Sequence, residues 1–486
     1  MNLARDVSWN NAVEPLPLRQ RAREGYSTYF FRPSSGGEGA VMEVVYRRCC
    51  GIDVHKDFVT ACVLVNDPGK QREVRKKEFR TYWSDLQKLK LWLYASKVEQ
   101  VAMESTGVYW KPVWNVLEGH FPLLLANPYH MRNIPGQKTD QKDSEWISDL
   151  LAHGLLRPSF VPPRPIQELR DLTRYRVKLT GELNRVHSRI AKILEDANVK
   201  LGSVASDILG VTGRRVIEAI IAGQEHPDWL ADKACGTLRA KRDQLRLVLK
   251  GRITDHHRYM LRELMADLDR IEAKIMRLET EIAERMNPYA NAIERLMSIP
   301  GFRLITAWSI VAEMGTDMSA FPDTAQAASW AGLAPGNNQS GGKRRSGRTK
   351  KGNRWLRRAL VQSAWAVSHK SNCFLTAQFY RRAARQGEKK AIVATAHQLL
   401  VIAFYILRDG TVYHEKGGNY FDQLNPERTK RRLMARLERM GFDVILRNST
   451  PETAPSPPAL PQPPSGRRRG RPCKCGERGI DCKHRQ

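Results

Sequence analysis

Between Tyr46 and Ala126 the apolar residues change period in an order that few folds accept. A short strand ending at Cys50-Gly51-Ile52-Asp53, a second over Phe58 to Val65 and a third, charged strand near Arg72 to Phe79 form a meander. An amphipathic helix carried by Leu86, Leu89, Leu91 and Leu93 follows, then a strand over Gln100 to Glu104. A helix from Tyr109 to about His120, a strand over Pro122 to Ala126 and a helix opening near Asp143 complete the pattern. Three strands followed by alternating helix and strand is the order of a ribonuclease-H-like α/β domain.

That order gathers acids. Asp53 closes the first strand, Glu104 closes the strand expected beside it, and Asp140 and Asp143 stand at a helix entry, three residues apart on one face. Taken singly, each has an ordinary role: Asp53 in a strand-end turn, Glu104 on the surface, Asp140 or Asp143 as an N-cap. Taken together they repel, and a divalent metal is the natural compensation. Hard carboxylate oxygens without His or Cys suit Mg²⁺ or Mn²⁺, the ions of phosphoryl transfer.

The charge balance names the class of partner. Eighty Lys and Arg against 51 Asp and Glu leave +29 on 486 residues, a surplus that points to nucleic acid. No stretch reads as a membrane span, and the first thirty residues lack an apolar signal core, so a soluble cytoplasmic protein is expected. Eight Cys are sparse for this length, and Cys49-Cys50 inside an apolar run reads as buried free thiols in a reducing compartment.

Five segments follow from composition and periodicity. Residues 1–44 read as a loose extension, with Met42 as a possible start, and 45–160 as the α/β domain. Residues 161–290 read as a coiled-coil helical arm, because Leu169, Leu172, Leu179, Leu183, Val186, Ile190 and Ile193, then Leu264, Leu268, Ile271, Ile275, Leu278 and Ile282, keep a 3/4 spacing. Its seams suit either an antiparallel hairpin within the chain or self-association. Residues 291–425 read as a mainly α domain, entered by Ile299-Pro300-Gly301-Phe302, either half of a helix-hairpin-helix or a plain turn. Residues 426–486 read as a Pro-rich linker and basic tail.

The residues also carry a family resemblance. Gly51-Ile52-Asp53-Val54-His55-Lys56, Glu104-Ser105-Thr106-Gly107 with Tyr109, Asn127-Pro128, and Lys138-Thr139-Asp140-Gln141-Lys142-Asp143 resemble the RuvC-like DEDD domain of IS110/IS1111 transposases. Ser144 stands where that family commonly has Ala. Ser298-Ile299-Pro300-Gly301, Trp330-Ala331-Gly332-Leu333-Ala334-Pro335, Gln339-Ser340-Gly341, Lys351-Gly352-Asn353 and Leu356-Arg357-Arg358 are similar to the family's C-terminal transposase domain. The resemblance implies a serine nucleophile, which by motif position falls on Ser340, with Ser346 as second choice. It further implies Mg²⁺, an acid site and a serine site contributed by different subunits of a dimer or tetramer, DNA ends and target as substrates, and a structured guide RNA.

The serine's surroundings suit that role. A hydroxyl attacks a phosphodiester only with a base, a metal or a cationic field. From Lys343 to Arg358 nine Lys or Arg stand without an acid: Lys343, Arg344, Arg345, Arg348, Lys350, Lys351, Arg354, Arg357 and Arg358. Interspersed glycines allow a nucleic-acid strand close approach. The plain alternative is a polar loop whose arginines hold backbone phosphate.

The tail adds Arg467-Arg468-Arg469-Gly470-Arg471-Pro472, either an AT-hook with Arg469 and Arg471 in a narrow minor groove or a generic basic extension. Cys473, Cys475, Cys482 and His484 form a candidate zinc set whose tight pairs are atypical of structural zinc sites, which weighs against it. Two rivals to a DNA transposase remain: a RuvC-like nuclease that uses water as nucleophile, and an inactive, domesticated nucleic-acid-binding protein.

Overall fold

Strands β1 (Arg48–Val54), β2 (Phe58–Val65) and β3 (Glu73–Arg80) form an antiparallel meander. The computed structural model describes residues 44–131, 143–336 and 338–445. After the meander come α1 (Trp83–Ala95), β4 (Gln100–Glu104), α2 (Trp110–Leu117), β5 (Leu123–Ala126), α3 (Pro128–Met131) and α4 (Asp143–Ala152). The sheet runs β3-β2-β1-β4-β5, with β1, β4 and β5 parallel. The mixed five-stranded sheet fits the ribonuclease-H-like expectation, and its strand ends fall within a few residues of those read from the sequence.

Alternation splits the sheet into two faces. Cys50, Ile52, Val101 and Met103 pack with Leu86, Leu89 and Leu93 of α1 and Val113 and Leu117 of α2. Cys49, Cys62 and Ala102 pack with Ile147, Leu150 and Leu151 of α4. Helix α4 lies unusually close to β1 because Gly51 has no side chain: a Cβ there would stand 2.4 Å from Ser148 N and 2.5 Å from Ser144 O. In its place Gly51 N–H donates to Ser148 Oγ at 2.8 Å, and that hydroxyl lies 2.7 Å from Cys62 O and 2.8 Å from Ser144 O.

The long helices α5 (Arg164–Asp196) and α9 (Asp255–Met286) flank three short ones: α6 (Val211–Ile221), α7 (Pro227–Ala231) and α8 (Arg242–Val248). Helices α5 and α9 pair antiparallel within the chain. Their apolar seam, including Leu179, Val186, Ile190, Leu264, Leu268 and Ile271, is continuous with the core of the short helices. Charges fix the register: Arg176 Nε donates to Glu279 Oε1 at 2.7 Å, Arg285 Nη1 to Glu168 Oε2 at 3.2 Å, and His257 Nε2 is 3.0 Å from Asp196 Oδ2. The seams pair within the chain as a hairpin, and no periodic stripe marks the helical cap at its end, whose helices are short.

The remaining elements are α10 (Ala290–Met297), α11 (Leu304–Met314), α12 (Thr324–Trp330), β6 (Asn338–Ser340), β7 (Lys343–Ser346), α13 (Arg354–Ser368), α14 (Phe374–Gln386), α15 (Glu388–Asp409), α16 (Tyr420–Leu424) and α17 (Pro426–Arg439). The chain divides into two compact units. Residues 1–288 with 311–322 make the first, and 289–310 with 323–486 the second. In the first, Glu313 is buried and held by Arg174 through bonds of 2.7 and 2.8 Å, while Arg170 Nη2 donates to its backbone carbonyl at 2.7 Å. In the second, α15 is the one described helix long and apolar enough to cross a bilayer, yet Ala396, Leu399, Leu400, Ala403 and Phe404 bury it as a core helix. Gly301, in the turn after α10, lies against Ser363 and Val367 of α13, so packing accounts for it.

Helix α17 runs through residues read from the sequence as the start of a flexible linker. Its start signals are ordinary ones: Asn425 Oδ1 accepts from Arg428 N at 3.1 Å and Pro426 occupies the first turn. The expectations for residues 1–43 and for the tail, including Arg469, Arg471, Cys473, Cys475, Cys482 and His484, lie outside the described residues.

Gly51→Ala is expected to destabilise the α/β domain by about 3 kcal/mol, the upper range for an overpacked core contact, and to speed amide exchange across Asp143–Ala152. The thiols report the same packing. Burial pushes the Cys49 thiol up to about 12 and raises Cys50 and Cys62 above the usual range. All three then stay protonated at pH 8 and are expected to resist alkylation in the native protein, with Gly51→Ala exposing them; mass-spectrometric labelling rates check both.

Candidate active site

Asp53 and Glu104 end neighbouring parallel strands. Ile52 pairs with Met103, so the two carboxylates stand one residue on, at the same level. Alternation gives their face: Gly51 and Ala102 lie under α4, so Asp53 and Glu104 fall on that same face. Helix α4 starts at Asp143. Its register is set by the Gly51 contact with Ser144 and Ser148, which carries Asp143 toward the carboxyl ends of β1 and β4.

Asp140 lies outside the described residues. Among the described residues no three His, Cys, Asp or Glu side chains form a group that could hold a metal ion. The donor chemistry nevertheless fits one: carboxylates from two strand ends and a helix start, on a shared face, supply the hard oxygens that Mg²⁺ or Mn²⁺ prefers.

His55 is a site residue that the sequence did not single out. Its Nε2 lies 3.0 Å from Asp53 Oδ2, and its ring packs on Phe58 with centroids 4.6 Å apart. His55 lies one residue past the end of β1, in the turn before β2, so strand period does not predict this contact. An N–H at Nε2 would hold one carboxylate oxygen and leave the other for a ligand.

Ser340 ends β6, directly before Gly341-Gly342. Gly341 and Gly342 have φ of +56° and +73°, and Ser340 pairs with Lys343, so the hairpin closes through a two-residue turn of type I′. Ser340, Arg344 and Arg345 are described by their backbone positions alone. Ser346 pairs with Asn338, and its Oγ accepts from Arg348 N at 3.2 Å, a local turn that occupies this hydroxyl.

The hairpin's base is tied down. Gly336 N donates to Arg348 O at 3.1 Å and Asn353 N to Trp330 O at 2.8 Å, while Asn353 Oδ1 caps α13 by accepting from Trp355 N and Leu356 N. Arg357 is half-buried and donates from Nη1 to Gly332 O at 2.6 Å and Thr349 Oγ1 at 2.8 Å, so it holds the base. Lys343, Arg348, Lys350, Lys351, Arg354 and Arg358 are exposed.

Comparison with known proteins covers the regions that hold both candidate sites. A family described as "Transposase", of the IS110 DEDD type, matches residues 50–199, and the "Transposase IS116/IS110/IS902 family" matches residues 293–381. The chain belongs to the IS110/IS1111 family of transposases. Within that family it is similar to the "Transposase for insertion sequence element IS1111A" of Coxiella burnetii, 26% identical over 380 residues that cover 75% of this chain and 90% of the relative. It is also similar to a "Probable family 20 transposase" of Pseudomonas aeruginosa, 27% identical over 270 residues, 55% of this chain and 70% of the relative. An "Insertion element IS110 uncharacterized 43.6 kDa protein" of Streptomyces coelicolor is 27% identical over 305 residues, 58% of this chain and 74% of its own. Membership implies DNA transposase or recombinase activity.

In this family member the Ser144 hydroxyl is buried and has no hydrogen-bond partner among the described residues. Ser144→Ala is therefore expected to leave stability unchanged or raise it by about 1 kcal/mol, whereas Ser148→Ala, which strands Gly51 N–H, is expected to cost about 1–3 kcal/mol. Denaturant midpoints check the contrast.

Proposed function

We propose that the protein cuts and rejoins DNA at the ends of an insertion sequence, with Ser340 as nucleophile and Asp53, Glu104, Asp140 and Asp143 as the acid site. The observation that carries this reading is that Asp53 and Glu104 share the face covered by α4, at the level of its first residue, Asp143. A divalent cation, Mg²⁺ or Mn²⁺, held by the four acids would neutralise charge on the scissile phosphate.

The protein's own chemistry is an exchange of phosphate esters. The Ser340 Oγ–P bond forms as one P–O bond of the DNA backbone breaks; the serine proton is lost and the departing DNA hydroxyl gains one. Attack by a different DNA hydroxyl reverses the step and restores Ser340, so strands are rejoined without ATP. The exposed cations beside the hairpin stabilise the additional negative charge at phosphorus. Helix α13, capped by Asn353, gives this hairpin a rigid base.

The same reading extends to the organisation of the chain. Residues 45–160 form the DEDD domain, 161–290 the arm, packed as a coiled coil, and 291–425 the serine domain; α17 follows, and the Pro-rich and basic sequence beyond it is a linker and DNA-anchoring tail. The protein works as a dimer or tetramer in the cytoplasm, on element ends and target DNA, with a structured RNA as guide. The +29 charge supports binding of both nucleic acids.

Excision and junction formation in cells that carry the native flanking DNA test the mechanism. Ser340→Ala and Asp53→Ala are each expected to abolish junctions with the proteins still folded, and Ser346→Ala to retain them. An active Ser340→Ala beside a dead Asp53→Ala would assign attack to water, as in a nuclease. Calorimetry is expected to show Mg²⁺ binding that Asp53→Ala weakens; no binding in either protein would remove the metal from the proposal.

A further inference from the structure

The rim of the sheet beside Asp53 carries a row of aromatic and cationic residues that neither the acid site nor the core uses. His55 contacts Asp53 and packs on Phe58. Phe58 pairs with Arg80 at the end of β3, and Arg80 lies over the Tyr82 ring at 6.0 Å from its centroid. Trp83 follows. The turn at Lys56 and Asp57 is bound to this end of β3: Thr81 Oγ1 donates to Lys56 O at 2.9 Å and Thr81 N to Asp57 O at 3.1 Å.

Strand geometry puts Phe58 and Arg80 on the acid site's side of the sheet, and Tyr82 and Trp83 follow Arg80 at the sheet's edge, where α1 begins. Asp53 pairs with Thr60 and Thr60 with Glu78, and paired residues share a face. Arg80, two residues beyond Glu78, is on that face too. Strands about 4.8 Å apart put the end of β3 roughly 10 Å sideways from Asp53, a distance that one or two nucleotides of an unpaired strand span.

Exposure decides what the row is for. Tyr82 is 63% exposed and Trp83 69%, although Phe79, Leu86, Leu89 and Trp92 already fill the space between β3 and α1. Tyr82 occupies the N-cap position of α1 and makes no side-chain cap. Lys56, Lys76, Lys77, Arg80 and Lys88 outnumber Asp57, Glu78 and Asp85 around it. Solvent-facing rings set among cations along a path that starts at a phosphodiester-cleaving site are what successive unpaired bases require: a π-face to stack on and a positive field for the backbone.

The geometry points to a stacking path for single-stranded DNA, formed by Phe58, Tyr82 and Trp83 with Lys56 and Arg80, that takes up bases unpaired beside the acid site. This rests on the function proposed above. Its test is made in the absence of divalent metal and does not read cleavage, so the two can fail separately.

Binding of fluorescently labelled single-stranded DNA from the element end is measured with the full-length protein and with Tyr82→Ala/Trp83→Ala. Both rings are exposed, and thermal unfolding checks that the variant is folded. The expected result is a loss of affinity of roughly tenfold or more, the scale of one or two lost base stacks, with the salt dependence unchanged. Abasic residues in the oligonucleotide should reproduce the loss in the wild type, and duplex DNA should be affected far less. Asp53→Ala is expected to bind as wild type does, whatever it does to cleavage. Unchanged single-strand binding in the double variant would overturn the proposal, as would an equal loss for duplex. A loss confined to RNA of the same sequence, or a changed sedimentation coefficient without changed DNA binding, would assign the rings to another partner and overturn it too.

Discussion

The α/β domain depends on a contact between a helix and a glycine. Because Gly51 carries no side chain, α4 settles onto β1 closely enough for Ser148 to bond the Gly51 amide, and this approach sets how α4 lies along β1. Asp143 is the first described residue of α4, so the packing that closes the core also positions the helix that carries the third candidate acid. A larger residue at 51 would displace an entire helix rather than one side chain. The buried hydroxyl of Ser148 serves this joint through three neighbours, while Ser144, one turn earlier on the same face, does not.

The two candidate sites are positioned by opposite means. The acids stand where buried strands run out of the sheet, so their backbones are fixed by a core on both faces. The serine stands at the end of a small hairpin without a hydrophobic core of its own, held by backbone pairing at its base, by a turn that only residues with positive φ can make, and by Arg357 below. The first arrangement gives fixed distances among charges that repel. The second leaves the proposed nucleophile beside a short turn that is followed by exposed cations, which suits a large, rigid substrate.

The sheet was legible because its central strands are short apolar runs separated by charged and turn residues; Gln100–Glu104 and Phe58–Val65 were read to the residue. Asp53 and Glu104 were legible as strand ends. The contact of His55 with Asp53 was not, since nothing in composition distinguishes a histidine in a turn from one that orients a carboxylate. The β6–β7 hairpin was missed for a plain reason: residues 338–346 contain no apolar side chain, so alternation had nothing to act on, and Gly341-Gly342 was its only mark. Helix α14 buries only Leu375 and Phe379, and the cap of the arm is built from helices as short as five residues. In both, packing against neighbours decides the structure more than local pattern does.

Helix α5 is 33 residues long and α9 is 32. At 1.5 Å per residue such a helix measures about 50 Å, and paired antiparallel with its register locked by ion pairs it bends little. Base pairs of B-DNA are spaced by about 3.4 Å, so the arm matches roughly fifteen of them. It is in effect a ruler: whatever grips the cap stands more than one full turn of a double helix from whatever grips the base of α5, a spacing written in protein length and independent of any nucleotide sequence.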